Sequence, residues 1–248
     1  PGRDHDVAVR AERRDLIIKN YKKTIIITTL VTLLPILLGI ILWEKLPDSI
    51  ATHWGADGQA NGWSNKAFAV FGLPCILAVT HLFSVCITLN DPKRKNIHKK
   101  PLTLIFWIMP IVSLVTSGFT YAAALGSDMD INLIISILVG VLFIILGNYM
   151  PKLQQNYTVG IKLPWTLNST ENWNRTHRLG GKLFIAGGVL IAVSGFLSPL
   201  FGETAGLIIL ITITLVCVVI PRDIHSGYSG KGFKSEFVYG RLIDGTTE

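Results

Sequence analysis

Six long stretches of this chain hold no Asp, Glu, Lys or Arg: Thr24–Trp43, Phe68–Leu89, Leu102–Leu125, Ile131–Met150, Leu183–Leu200 and Thr204–Ile220. As a helix, a run of roughly 18 apolar residues crosses a hydrocarbon core of about 30 Å. In lipid a backbone must satisfy its own hydrogen bonds, which leaves helices for segments of this kind. The expected fold is therefore an all-α membrane protein with six transmembrane helices. Charged residues make up only 16% of the chain, against roughly 25% in soluble domains. The first run is too long for the apolar core of a secretory leader and no small-residue cleavage site follows it, so it reads as a retained anchor. Cys75, Cys86 and Cys217 all fall inside runs, where a thiol acts as a small apolar side chain.

The formal charge of +7 is a matter of sidedness. Seven Lys and Arg precede Thr24, five lie in Asp91–Lys100, five in Pro151–Lys182 and four after Ile220, leaving only Lys45 and Lys66 for the other face. Basic loops stay on the cytoplasmic side, so both termini are expected there. The surplus then serves topology and anionic lipid, and direct nucleic-acid binding is not expected. The chain divides into a basic cytoplasmic tail (1–23), a four-helix region (24–150) with an extracellular loop (44–67), a cytoplasmic loop with two further spans (151–220) and a cytoplasmic tail (221–248). Pro35, Pro74 and Pro110 lie within spans and are expected to kink them, while Pro151, Pro199 and Pro221 stand at span ends.

Two loops carry recognisable chemistry. In the outer one, the Asp57-Gly58 and Asn61-Gly62 pairs supply positive φ and suggest a small hairpin. Its candidate partner-binding residues are His53, Trp54, Asp57 and Trp63; tryptophans at a membrane edge equally serve as interface anchors. His53 has no second ligand near it, so no metal site is expected. In the inner loop, Asn168 and Glu171 suggest a helix start. Trp173, Thr176, His177, Gly180 and Phe184 then share one face, with Arg175, Arg178 and Lys182 on another. That pattern predicts a helix lying along the inner membrane surface before the fifth span. Gly181, Gly188 and Gly195 recur every seven residues and give that span a smooth ridge for a neighbour. The inner candidates, for a partner or for structure, are Asn148, Asn156, Trp165, Trp173, Thr176, His177 and Arg178.

The stretch Gly147–Phe184 resembles the signature of the SdpI family. The match rests on Gly147-Asn148, Met150-Pro151-Lys152, Asn156, Gly160-Ile161, Pro164-Trp165-Thr166-Leu167, Trp173, Thr176-His177-Arg178 and Gly180-Gly181-Lys182. Where that family usually shows Arg-Thr before Pro-Trp, this chain has Lys162-Leu163. The segment Leu46-Pro47, His53-Trp54, Gly58, Gly62 and Lys66 is similar to a domain of unknown function that commonly precedes the signature. The resemblance implies a multi-pass protein of the bacterial cell membrane that protects its producer from a secreted toxic peptide. It also implies a transcriptional repressor as an inner partner, held at the membrane when toxin is engaged.

A small transporter or channel is the alternative. His81 is the only ionisable side chain inside the six runs, a relay candidate or a neutral imidazole bonded between helices. No catalytic motif is present: there is no Gly-x-Ser-x-Gly or His-Glu-x-x-His, and Gly227-Tyr228-Ser229-Gly230-Lys231 lacks the spacing of a phosphate loop. His177 beside Arg178 has no adjacent carboxylate, and Arg175, Arg178 and Lys182 read as contacts to lipid headgroups. Neither an enzyme nor a cofactor is expected.

Overall fold

The computed structural model describes residues 2–55 and 57–201, with single helical positions between 208 and 215. Its elements are α1 (Gly2–Ile41), a hairpin of β1 (Ser49–Trp54) and β2 (Ala60–Asn65), α2 (Leu73–Leu89), α3 (Lys99–Ala124), α4 (Ile131–Tyr149), the short α5 (Pro164–Leu167) and α6 (Thr170–Phe201). Among the described residues five helices are long and apolar enough to span a membrane, and they coincide with the first five runs. Apart from those single positions, the sixth run, Thr204–Ile220, and the tail from Pro221 lie outside the described residues. Large apolar side chains such as Ile41, Val79, Phe83 and Phe196 are exposed on the helix surfaces, as lipid-facing positions are in a bundle solvated by hydrocarbon.

The helices form two packed groups: α1, α2 and α3 in one, α4 and α6 in the other. In the first group, polar side chains reach across to backbone. Ser113 Oγ donates to the carbonyl of Thr32 (2.7 Å) and Tyr121 to that of Pro35 (3.2 Å), on either side of the proline step in α1. His81 on α2 meets Thr28 Oγ1 on α1 at 3.0 Å, an imidazole bonded between helices.

The second group is a glycine seam. Built onto Gly140, a Cβ would stand 2.5 Å from the carbonyl of Gly188; on Gly147 it would stand 2.7 Å from that of Gly181. Gly195 faces Ser136 and the Cα of Leu133. The ridge read every seven residues on α6 thus meets a matching ridge on α4, also spaced by seven, and two antiparallel backbones touch along it. A repeat of seven keeps one seam facing one partner over several turns.

Several expectations are corrected. The helix α1 extends from Gly2 through the basic segment ahead of the first span, Tyr21–Ile41. Pro74 does lie within the second span, Phe68–Leu89, where a π-helical turn at Phe68–Gly72 leads directly into α2. Of the two hairpin pairs, only Gly58 has positive φ (70°). Asn61 instead pairs with the His53 ring across the strands. The segment expected on the membrane surface forms the first turns of the unbroken 32-residue α6. The cause is burial: Trp173, Thr176, His177 and Gly180 are covered by the chain itself and leave no apolar face for headgroups. Asn168 closes α5 in αR geometry, so Ser169 caps α6 by accepting from Asn172 N–H at 3.2 Å.

Candidate functional site

Successive helices run in opposite directions, so the hairpin lies at one end of the bundle and the 90–98 and 150–168 segments at the other. At the hairpin end, Leu46 and Ile50 point into a core with Ala69, Val70 and Tyr121. The base is fastened by Lys66, which pairs with Asp48 (3.3 Å) and donates to the carbonyl of Trp43 (3.2 Å). The hairpin is thereby a fixed cap. From it Trp54 meets Phe119 of α3 edge-on, ring centroids 5.0 Å apart. Gly58 at the tip lies against Asn132 at the start of α4.

Beneath this cap is a cleft of about 580 Å³ between the two helix groups, walled by apolar side chains of α2, α3 and α4 such as Leu77, Val115 and Ile135. Beside it, sharing Trp54, Phe119, Ile131 and Asn132, lies a second recess of about 520 Å³ bordered by Asp57, Asp128 and Asp130. No Lys or Arg lines either space. Asp57 accepts the N–H of Gln59, and Asp130 caps α4 by accepting from Leu133 N–H; each retains a second carboxylate oxygen. His53 and Trp54 therefore border the apolar cleft, and Trp54 and Asp57 the acidic recess beside it. Trp63 does not join them: its ring is on the outer side of β2, 60% exposed. Phe119, Asp128 and Asn132 belong to the space and were not anticipated.

At the opposite end, the 150–168 segment is tied down by its own side chains. Trp173 is wholly buried and donates from Nε1 to the carbonyl of Leu153 at 2.7 Å. The His177 ring stacks on it with centroids 3.9 Å apart. His177 Nε2 accepts the N–H of Ile161 (3.0 Å), so Nδ1 carries the proton and donates to the carbonyl of Trp173 (2.8 Å). Gly160, at φ +116°, passes so close to both rings that a Cβ would collide with His177. Asn156 caps the turn after it, accepting from the N–H groups of Thr158 (3.0 Å) and Val159 (2.7 Å) while donating to the carbonyl of Gln154 (2.8 Å).

Asn156, Trp173, Thr176 and His177 are thus buried in one cluster. Trp165 is half-buried beside it, whereas Asn148 and Arg178 are exposed. At the departure from the family pattern, Lys162 donates to the carbonyl of Thr158 (3.0 Å) and Leu163 N–H to Thr166 Oγ1 (2.9 Å).

The cluster extends to residues that sequence reasoning missed. Asp91, buried in the α2–α3 loop, accepts from Tyr157 N–H (2.9 Å), Thr158 Oγ1 and Lys93 N–H (2.7 Å). Gln155 accepts from Lys93 Nζ and donates to the carbonyls of Thr166 and Leu167. These bonds join the two helix groups at this end. The available signal was charge: Asp91 is the one acid in an otherwise basic loop. Nearby, burial pulls Arg94 below its ordinary pKa while the adjacent Tyr21 opposes the shift.

Residues 152–221 match the family described as SdpI/YfhL protein family, and residues 30–78 match a domain of unknown function, DUF1648. The chain is thus similar to the SdpI/YfhL family over its C-terminal part. The buried cluster and glycine seam on α6 lie within the matched segment, and the hairpin lies within the DUF1648 match. "Immunity protein SdpI" of Bacillus subtilis (strain 168) is 29% identical over 194 residues, which is 78% of this chain and 90% of that protein. No solved structure matches. With this likeness and, among the described residues, five helices long and apolar enough to span, the protein is a multi-pass bacterial membrane protein.

Proposed function

We propose that this protein gives its cell immunity to a secreted peptide toxin by receiving that peptide at the hairpin end of the bundle. The observation that carries the reading is the apolar cleft beneath Trp54 with an adjoining recess bordered by Asp57, Asp128 and Asp130. Apolar walls favour burial of apolar side chains, and an uncompensated acidic mouth favours a cationic group over an anionic one. The 29%-identical immunity protein supports the toxin as occupant.

The hairpin end faces outward in this reading, because the opposite end carries nearly all the Lys and Arg of the described loops. Both termini are then cytoplasmic, with the sixth span completing the crossing. The buried cluster around Trp173 and His177 acts as a fastener for the inner end, while exposed Asn148 and Arg178 border the surface on which a transcriptional repressor would be held. Its hydrogen bonds support the fastener role, since Asn156 and both nitrogens of His177 bond within the chain. Trp63 serves as an interface anchor.

The test is a protection assay in a toxin-sensitive bacterium expressing this chain. Survival under challenge with secreted membrane-active peptides, lost on deletion of the hairpin at matched membrane level, is expected. Sensitivity unchanged by the wild-type chain for every peptide would contradict the reading.

A further inference from the structure

Two side chains in the cleft beneath the hairpin differ from the rest of the α1–α3 group. Ser117 and Thr120 on α3 are each 5% exposed and line the cleft. Among the described residues neither hydroxyl makes a hydrogen bond. The other buried hydroxyls of this group do: Thr28, Thr32 and Thr88 donate to carbonyls of their own helices, and Ser113 donates to Thr32 on α1. Thr116, which shares the cleft, donates to the carbonyl of Val112 at 2.8 Å. A serine or threonine in a helix has such a local carbonyl at hand. A buried hydroxyl that leaves it unused and borders a cavity is placed for a partner from outside. Asn132, half-buried at the start of α4, borders both the cleft and the acidic recess. Its side-chain amide likewise makes no hydrogen bond among the described residues.

These groups limit what the cleft can hold. Each hydroxyl, like the amide, both donates and accepts, which suits backbone N–H and C=O groups. The flank of an apolar helix offers neither, because its backbone bonds are closed internally. A chain end offers both kinds, and a helix start alone leaves about four N–H groups free. The cleft of about 580 Å³ lies in the range of small-ligand pockets, roughly 300–1,000 Å³, and so accepts the end of a peptide rather than a whole spanning helix. Charge decides which end. Asp57, Asp128 and Asp130 border the adjoining recess and no Lys or Arg does, so an α-ammonium is favoured there and a carboxylate is repelled. The order along α3 suits a chain entering from the hairpin side. Phe119 borders both spaces, Thr120 follows it, and Ser117 lies about 4.5 Å deeper along the axis.

We infer that the cleft and the recess beside it bind the free N-terminal end of an apolar peptide, its ammonium near the aspartates and its first backbone amides on Thr120, Ser117 and Asn132. The inference rests on the peptide reading above and names the part of the peptide that is recognised.

The probes are photoleucyl-leucine amide and its N-acetylated form, crosslinked at neutral pH to the full chain in nanodiscs, with labelled residues located by mass spectrometry. Label is expected on the cleft residues of α3 and α4, about tenfold more from the free amine than from the acetylated probe. Ser117→Ala with Thr120→Val lowers cleft labelling by about tenfold at an unchanged thermal midpoint, since neither hydroxyl bonds within the described fold. Thr116→Val, in the same cleft, leaves the labelling as it is. Asp128→Asn with Asp130→Asn, which keeps a capping side chain on α4, makes the two probes equal. Equal labelling of the wild type by both probes, label confined to outward positions such as Val79 and Phe83, or the same loss in Thr116→Val overturns the site. Survival assays separate this outcome from the toxin reading. If a peptide against which the chain protects is neutralised equally well after N-acetylation, capture of the end fails and immunity stands. A preference for the free amine in a chain that protects against no peptide upholds the site and fails the toxin reading.

Discussion

At the loop end the fold depends on a few side chains whose removal has calculable effects. Trp173 is wholly buried and its indole N–H is bonded to the Leu153 carbonyl. Trp173→Phe keeps most of the packing and orphans that carbonyl, which costs about 1–3 kcal/mol. A lowered thermal midpoint in detergent with retained membrane insertion checks it. Gly160→Ala is expected to cost at least about as much, because φ +116° is unfavourable for any L side chain and the added methyl meets His177. Asp91→Ala releases Tyr157 and Thr158, so faster amide exchange across 155–162 is predicted, with the exchange of α4 unchanged. Much of this was legible in the sequence, where Trp173, Thr176 and His177 share a helical face. Asp91 was not, because its partners are 66 and 67 positions away and periodicity reports only contacts along one element.

Among the elements, α4 and α6 show how a pattern on one helix implies a partner. Gly181, Gly188 and Gly195 announced a smooth ridge, and Gly140 and Gly147 complete it from the other side. Gly140→Ala places a methyl 2.5 Å from the Gly188 carbonyl and is expected to destabilise by about 1–3 kcal/mol through overpacking. Gly118→Ala in α3 meets nothing within 4 Å and is expected to be neutral or stabilising by up to about 1 kcal/mol. Thermal melts of the two variants side by side separate packing from helix propensity. The reach of α6 was the harder reading. Charged Arg175, Arg178 and Lys182 pointed to a surface helix, but the opposite face is buried under the 150–161 segment, a tertiary cover that no local pattern records. Span positions were readable because a bilayer excludes charge; the hairpin was readable from Asp57-Gly58, whose glycine takes the φ that the turn demands.

For the whole molecule, two groups of helices are joined at the loop end by Asp91 and Gln155 and stand apart beneath the hairpin, where the apolar cleft opens. In the proposed function the toxin is received in this cleft. The acidic rim was only partly visible in the sequence: Asp57 was named, whereas Asp128 and Asp130 lie in a turn 71 and 73 residues further on and reach the hairpin only once α3 and α4 are in place. The most direct measurement fills the cleft. Thr116→Trp projects an indole into it, while Val79→Trp makes the same addition on a surface 68% exposed to lipid. Survival of a toxin-sensitive bacterium is then compared for wild type and both variants at matched membrane levels. Protection by wild type and Val79→Trp and its loss in Thr116→Trp are expected; protection undiminished in Thr116→Trp would contradict reception of the toxin in the cleft.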